Sequence, residues 1–293
     1  MESPEHPTKH APATQAATAR ALIAAARAEL LAAPHRPAAR EATLLLGHLL
    51  GWSEAQVVAR DETVLSPSET EAFHRLIARR VAGEPVAYLL GAREFFGRRF
   101  TVDDRVLIPR PETEHLVEAV LDLPLPAAPC VLDIGTGSGC LAVTLALELP
   151  ASRVFASDVS TGALALAHAN AARLAPGRVG FIAADLDTAM AIEDFDLVVS
   201  NPPYIGREEA GDLSPEVVAF EPWSALFSPQ ESDTILRRLL AAALRLRAGA
   251  FMALELGFGQ APGLAEAVAP GLLIRELRRD YAGIPRVMVL ERR

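Results

Sequence analysis

Apolar and polar positions along the first eighty residues follow helical spacing, with no run that reads as a strand. Thr14 to Ala33 is alanine-rich and carries Leu22, Ile23, Leu30 and Leu31, which predicts a helix stopped before Pro34. Arg40 to Leu50 reads as a second helix, ended near Gly51, and Ser53 can cap a short third through Arg60. Ser66-Pro67-Ser68-Glu69 opens a fourth that runs to Arg80, with Pro67 or Ser68 in its first turn. Together these predict a small helical bundle over residues 16–83. Residues 1–15, rich in Pro, Thr, Ala and His without periodicity, are expected to form a disordered tail.

Gly83-Glu84-Pro85 punctuates the end of the bundle, and residues 84–110 read as a linker. Within it, Arg93–Phe96 and Arg99–Val102 flank Gly97-Arg98, which predicts a β-hairpin. Val106–Pro109 follows, and Arg110-Pro111-Glu112-Thr113-Glu114 opens a helix through Leu121. After Pro129 the pattern changes to short apolar runs at 130–134, 154–156, 179–183, 196–200, 250–256 and 286–290. Helical stretches at 139–149, 161–174 and 233–247 separate several of them. Such alternation predicts an α/β domain over 111–293, built on a mostly parallel sheet with helices on both faces. In that architecture ligands bind at the carboxyl ends of the strands. No internal repeat is visible.

Composition narrows the picture. Of 293 residues, 51% are hydrophobic, enough for a sizeable core, and global disorder is excluded. The net charge of -9 argues against broad binding of nucleic-acid phosphates. Lys9 is the only lysine, a bias of composition without functional weight. Cys130 and Cys140 have no metal-binding spacing and sit in apolar segments, so no zinc site and a reducing cytoplasm are expected. His48, His74, His115 and His168 share no metal spacing either, and no metal is expected. No apolar run reaches membrane-spanning length, and the N-terminus lacks the features of a secretory signal.

The chemistry concentrates at two strand ends. Asp133-Ile134-Gly135-Thr136-Gly137-Ser138-Gly139 follows the first run after Pro129 and opens a helix. Glycines there let the backbone turn tightly and approach a ligand. Nineteen positions after Gly139, Asp158 ends the next run, where a carboxylate can accept from two ribose hydroxyls. These parts predict a nucleoside-containing cofactor. The dinucleotide fingerprint needs its third glycine where this chain has Cys140; the spacing present resembles class I methyltransferases, which use S-adenosylmethionine. In that resemblance Asp185, after the third strand, meets the adenine amino group and Leu186 flanks the ring.

The second strand end is Asn201-Pro202-Pro203-Tyr204, directly after the apolar run that ends at Ser200. Neither proline has an N–H, so this turn offers carbonyl oxygens and almost no donors. Asn201 adds another acceptor and Tyr204 a flat ring. Such a pocket suits a planar NH2 group, which has two donors to place and a π face to stack.

Further segments extend the resemblance to the PrmC/HemK family. They are Gly83–Gly97, Val106–Glu114, Asp133–Gly139, Val199–Ile205, Phe220-Glu221-Pro222 and Glu255–Gln260, and the likeness covers roughly residues 20–293. It implies methylation of the side-chain amide nitrogen (N5) of the Gln in the Gly-Gly-Gln motif of class I peptide chain release factors, in the cytoplasm. It also implies cofactor contacts from Gly135–Gly139, Asp158, Leu186 and Asn201, and a hold on the substrate Gln by Asn201, Pro202, Pro203 and Tyr204. The helical bundle would help dock the release factor, with no nucleic acid or membrane involved and the chain a monomer. Two segments depart from the family pattern: Phe227–Glu231, where the family carries glycine, and Pro285, where it carries Asp. Three competing readings are a DNA adenine amino-methyltransferase, methylation of a Gln in another protein, and a catalytically silent methyltransferase-like module.

Overall fold

The computed structural model describes residues 17–33, 40–228 and 230–293, so the tail expected over 1–15 lies outside the described residues. The chain divides into two compact units, one ending at Leu90 and one running from Gly91 to Arg293.

The first unit is helical: α1 (Ala19–Ala32), α2 (Glu41–Leu50), α3 (Glu54–Ala59), α4 (Pro67–Val81) and the single turn α5 (Val86–Leu89). Its boundaries follow from local chemistry. Ser53 and Ser66 each form a capping box, with Gln56 and Glu69 returning the bond to the cap N–H. Gly51, at φ 66°, ends α2 in the left-handed conformation. Leu30, Leu45, Leu46, Phe73 and Ile77 fill the core between the helices. Arg80 is buried on α4 and reaches Glu41 of α2 at 2.6 Å, pairing a charge that would otherwise oppose folding.

The second unit opens with the hairpin β1 (Ala92–Phe95) and β2 (Arg98–Thr101). The turn residues are Phe96 and Gly97, one position earlier than the sequence suggests, with φ of 48° and 70°. Positive φ at both positions makes a two-residue turn whose twist matches the strands, and Phe96 accepts the strain. A 3-10 turn at Pro111–Thr113 leads into α6 (Glu114–Leu121).

Then β3 (Cys130–Ile134), α7 (Cys140–Glu148), β4 (Arg153–Asp158), α8 (Thr161–Leu174), β5 (Val179–Ala183) and β6 (Leu197–Ser200) alternate. They are followed by the short helices α9 (Pro215–Phe220) and α10 (Trp223–Leu226), then α11 (Thr234–Ala243), β7 (Phe251–Glu255), α12 (Ala261–Ala267), β8 (Leu272–Arg279) and β9 (Pro285–Arg292). The seven strands order as β5-β4-β3-β6-β7-β9-β8, parallel except for β9, which runs antiparallel to both neighbours.

Every residue of β3, β6 and β7 is buried, as expected for parallel strands covered on both faces. Val131, Val199, Ala253 and Val289 point to α6 and α7. Their neighbours Leu132, Val198, Met252 and Leu290 point to α11 and α12. The α/β architecture expected from the sequence is the one observed. The strand order reverses beside β3, with β4 on one side and β6 on the other. A crevice opens at such a switch point, between the loops that leave in opposite directions.

Candidate active site

The loop after β3 is shaped by backbone conformation. Gly135, Gly137 and Gly139 have φ of 72°, 53° and 80°, where a side chain is disfavoured. A Cβ on Gly135 or Gly137 would meet nothing within 4 Å, so both face open space. Gly139 differs: a Cβ there would come 3.1 Å from Ala167 Cβ, so its place is the close packing of α7 on α8, behind the cavity. The N–H groups of Gly135 and Thr136 both donate to the Ser157 carbonyl. Asp158 then accepts from Gly137 N–H and Ser160 N–H, each at 2.9 Å. Both its oxygens keep a lone pair for a ligand.

Asp133 lies wholly buried beneath the loop. Its Oδ2 accepts from the Thr136 hydroxyl and the Ala142 N–H, while Oδ1 takes no hydrogen bond from a described residue. Burial pushes this carboxyl up to about 7 against the pull of those two donors. Burial likewise pushes the Cys140 thiol up to about 12, which keeps it from acting as a thiolate.

Two cavities meet at the end of β6. One, of about 610 Å³, is lined by Gly135–Ser138, Asp158, Asp185, Leu186 and Asn201, with Trp223 and Phe227 among its walls. Its size falls in the range of about 300–1,000 Å³ usual for small-molecule sites. The other, of about 750 Å³, is lined by Pro202, Tyr204, Arg110, Glu112, Glu255 and Phe258 among others. Asn201 and Pro203 border both. All the residues picked out from the sequence except Gly139 thus line one or both cavities. Arg110 and Thr113 border the site as well. Phe95 packs edge-to-face on Phe100 in the core. No group of three or more metal-ligating side chains occurs among the described residues. None of the described helices is long and apolar enough to cross a membrane.

The Asn201–Tyr204 turn is held from several sides. Asn201 Nδ2 donates to Thr113 Oγ1 at 3.1 Å, and Asn201 Oδ1 accepts from no described residue. Gln260 Nε2 donates to the Tyr204 carbonyl at 3.0 Å, while its Oε1 accepts from Gly257 N–H. Ile205 then bridges to Phe227 in parallel register. The Tyr204 hydroxyl donates to Glu255 Oε1 at 3.3 Å, and burial beside that carboxylate raises the Tyr204 pKa well above its usual range. Glu221, buried, accepts from Arg110 at 2.6 Å and from Ile108 N–H at 3.0 Å, which fixes the segment covering both cavities. Thr113, Glu221, Glu255 and Gln260 lie in segments that carry the family resemblance, but motif spacing assigns none of them its partner around the turn. The available signal was an acidic residue, Glu255, ending an apolar strand run.

A ligand cradle at the switch point of a seven-stranded sheet with one reversed strand defines a class I methyltransferase. The catalytic domain of hMettl16, solved with a 3'UTR hairpin, shares this fold at a TM-score of 0.55 and 19% identity, over 74% of this chain and 81% of that one. Two family profiles match: the PrmC N-terminal domain over residues 21–91 and the methyltransferase small domain over 113–219. The release factor glutamine methyltransferase of Bordetella pertussis is 46% identical over 264 residues, covering 88% of this chain and 96% of that protein. The protein of the same name from Koribacter versatilis is 43% identical over 251 residues, covering 85% and 89%. The chain belongs to the release factor glutamine methyltransferase family.

Proposed function

We propose that this chain transfers a methyl group from S-adenosylmethionine to the side-chain amide nitrogen (N5) of the Gln in the Gly-Gly-Gln motif of class I peptide chain release factors. One observation carries the reading: Asn201 borders both cavities, anchored through Nδ2 and with Oδ1 left to accept. The names of the relatives support the substrate. Translation places such a substrate in the cytoplasm, and the helical unit is assigned to docking the release factor.

The first cavity fits the cofactor. Gly135 and Gly137 leave room where a side chain would intrude, and Thr136 and Ser138 complete the cradle. Asp158 and Asp185 are acceptors for its ribose hydroxyls and adenine amino group, and Leu186 gives the ring an apolar surface. When bound, S-adenosylmethionine supplies an electrophilic methyl on a sulfonium.

The chain's own work concerns the substrate nitrogen. An amide lone pair is delocalised into its carbonyl, the conjugation behind the roughly 18–20 kcal/mol barrier to C–N rotation. Asn201 Oδ1 and the Pro202 carbonyl, neither taken by a described donor, each accept one N–H of the substrate amide. Two fixed acceptors orient the nitrogen and favour its pyramidalisation. Both bonds strengthen as positive charge develops there. Tyr204 covers the flat amide, and Pro203 stiffens the turn between them. Alignment of this kind is worth about 7–11 kcal/mol in favourable models. Asn201 is neutral, so the surplus proton leaves to water.

The test is transfer from methyl-labelled S-adenosylmethionine to an intact release factor, beside a Gln→Ala variant of its Gly-Gly-Gln motif and a duplex oligonucleotide. Label on the intact factor alone is expected. Asn201→Ala should keep the fold and slow single-turnover transfer about 100-fold or more, the scale of losing one transition-state hydrogen bond. Label on the oligonucleotide, or an unchanged Asn201→Ala rate, would refute the reading.

A further inference from the structure

We infer that Gln260 is a positioning residue for methyl transfer: its side-chain amide pins the far end of the Asn201–Tyr204 turn and so holds Asn201 Oδ1 and the Pro202 carbonyl in place for the substrate NH2. The inference rests on the role proposed above for Asn201.

Three segments converge on this one amide. Gln260 immediately precedes α12 and lines the second cavity but not the first. Its Oε1 accepts from Gly257 N–H at 2.8 Å, in the loop that leaves β7. Its Nε2 donates to the Tyr204 carbonyl at 3.0 Å and to the Ser232 carbonyl, just ahead of α11, at 3.3 Å. The amide oxygen and the NH2 group are thus both engaged. A carbonyl only accepts and a backbone N–H only donates, so turning the amide over would forfeit all these bonds. The partners of Gln260 therefore fix its orientation, and with it the direction in which the Tyr204 carbonyl points.

The turn transmits the constraint. Its first residue is tied through Asn201 Nδ2 to Thr113 Oγ1, and its last through the Tyr204 carbonyl to Gln260. Between these ties stand Pro202 and Pro203, whose rings lock φ. With both ends held and both intervening φ angles locked, the Pro202 carbonyl and Asn201 Oδ1 keep a fixed separation and direction. Release of the Tyr204 end leaves the Pro202 carbonyl free to swing away from the substrate nitrogen. A misplacement of about 1 Å at a reacting centre can cost about 100-fold in rate.

The experiment is single-turnover methyl transfer at saturating cofactor, with the concentration of intact release factor varied. It compares the parent with Gln260→Met, Gln260→Glu, Asn201→Ala and the double variant Asn201→Ala/Gln260→Met. Gln260→Met keeps the length of the side chain without its bonds. Gln260→Glu keeps the acceptor for Gly257 and sets an oxygen against the Tyr204 and Ser232 carbonyls. Each should lower the maximal rate about tenfold, with KM for the release factor changed less than about twofold. Cofactor affinity, measured by titration of S-adenosylmethionine, should stay within about twofold of the parent, because Gln260 does not line the first cavity. On Asn201→Ala, the further loss from Gln260→Met should shrink to less than about threefold, since one of the two acceptors it positions is already gone. Full rates in both Gln260 variants, a loss confined to KM, a matching loss of cofactor affinity, or an undiminished tenfold loss on Asn201→Ala would each overturn the inference, while a slow Asn201→Ala still upheld the reading beneath it. A full-rate Asn201→Ala would overturn that reading itself.

Discussion

Gly257 tests whether the reactive turn is held by contact with its neighbours. An alanine there would place Cβ 2.8 Å from Tyr204 Cδ2 and 2.9 Å from Gln260 Oε1, where ordinary contact begins at 3.4 Å. The ring must therefore withdraw by about 0.6 Å. It cannot do so alone, because Gln260 Nε2 is bonded to the Tyr204 carbonyl and would be pushed by the same methyl. Overpacking of this kind costs about 1–3 kcal/mol. A displacement of about 1 Å at a reacting centre can cost about 100-fold in rate, so about tenfold is expected here. Urea unfolding and single-turnover transfer measure the two effects. Gly263→Ala on α12 is the control: a Cβ there meets nothing within 4 Å, and the change should be neutral or slightly stabilising. A Gly257→Ala protein as stable and as fast as Gly263→Ala would refute the claim that Tyr204 is positioned by this contact.

Glu255, by its burial, sets an expectation for stability against pH. Its folded-state pKa, about 7, lies above the ordinary 4.5, so the folded protein binds the extra proton between those values and stability declines as pH rises through them. At about 1.4 kcal/mol per pH unit, the ionised carboxylate costs about 3 kcal/mol above pH 7. Glu255→Gln should thus raise stability at pH 8 in urea unfolding; a destabilised Glu255→Gln would contradict this. Asp133, pushed up to about 7 in the same way, should preserve part of the decline in that variant. Arg110→Ala should cost about 3–5 kcal/mol by stranding the buried Glu221 carboxylate, and adding Glu221→Gln should restore much of it. A loss under about 1 kcal/mol in the single variant would show that the pair is not what fixes this segment.

The legible parts of the fold are those whose cause is local. Ser53 and Ser66 announce their helices because the capping side chain and its return partner lie three residues apart. The runs of β3, β6 and β7 stand out because strands covered on both faces are apolar throughout. β8 did not stand out: Leu272–Arg279 lies at the sheet edge, mixes Arg and Glu with apolar residues, and changes register between Ile274 and Glu276. The turn at Phe96-Gly97 was displaced by one residue in the sequence reading, because nothing in a phenylalanine signals positive φ.

The sequence by itself determined the strand runs from β3 to β7 and at β9, the glycine loop, the acidic residue at the end of β4 and the acceptor-rich turn after β6. Each depends on residue type and spacing over a few positions, where backbone sterics and the missing proline N–H act directly. Only the tertiary structure decided which groups meet them. Thr113 reaches Asn201 across 88 positions, and Glu255 reaches Tyr204 across 51. Side-chain direction, burial and the pKa of a carboxylate are set by neighbours brought together when the sheet closes its layers. No local window of the chain contains those neighbours.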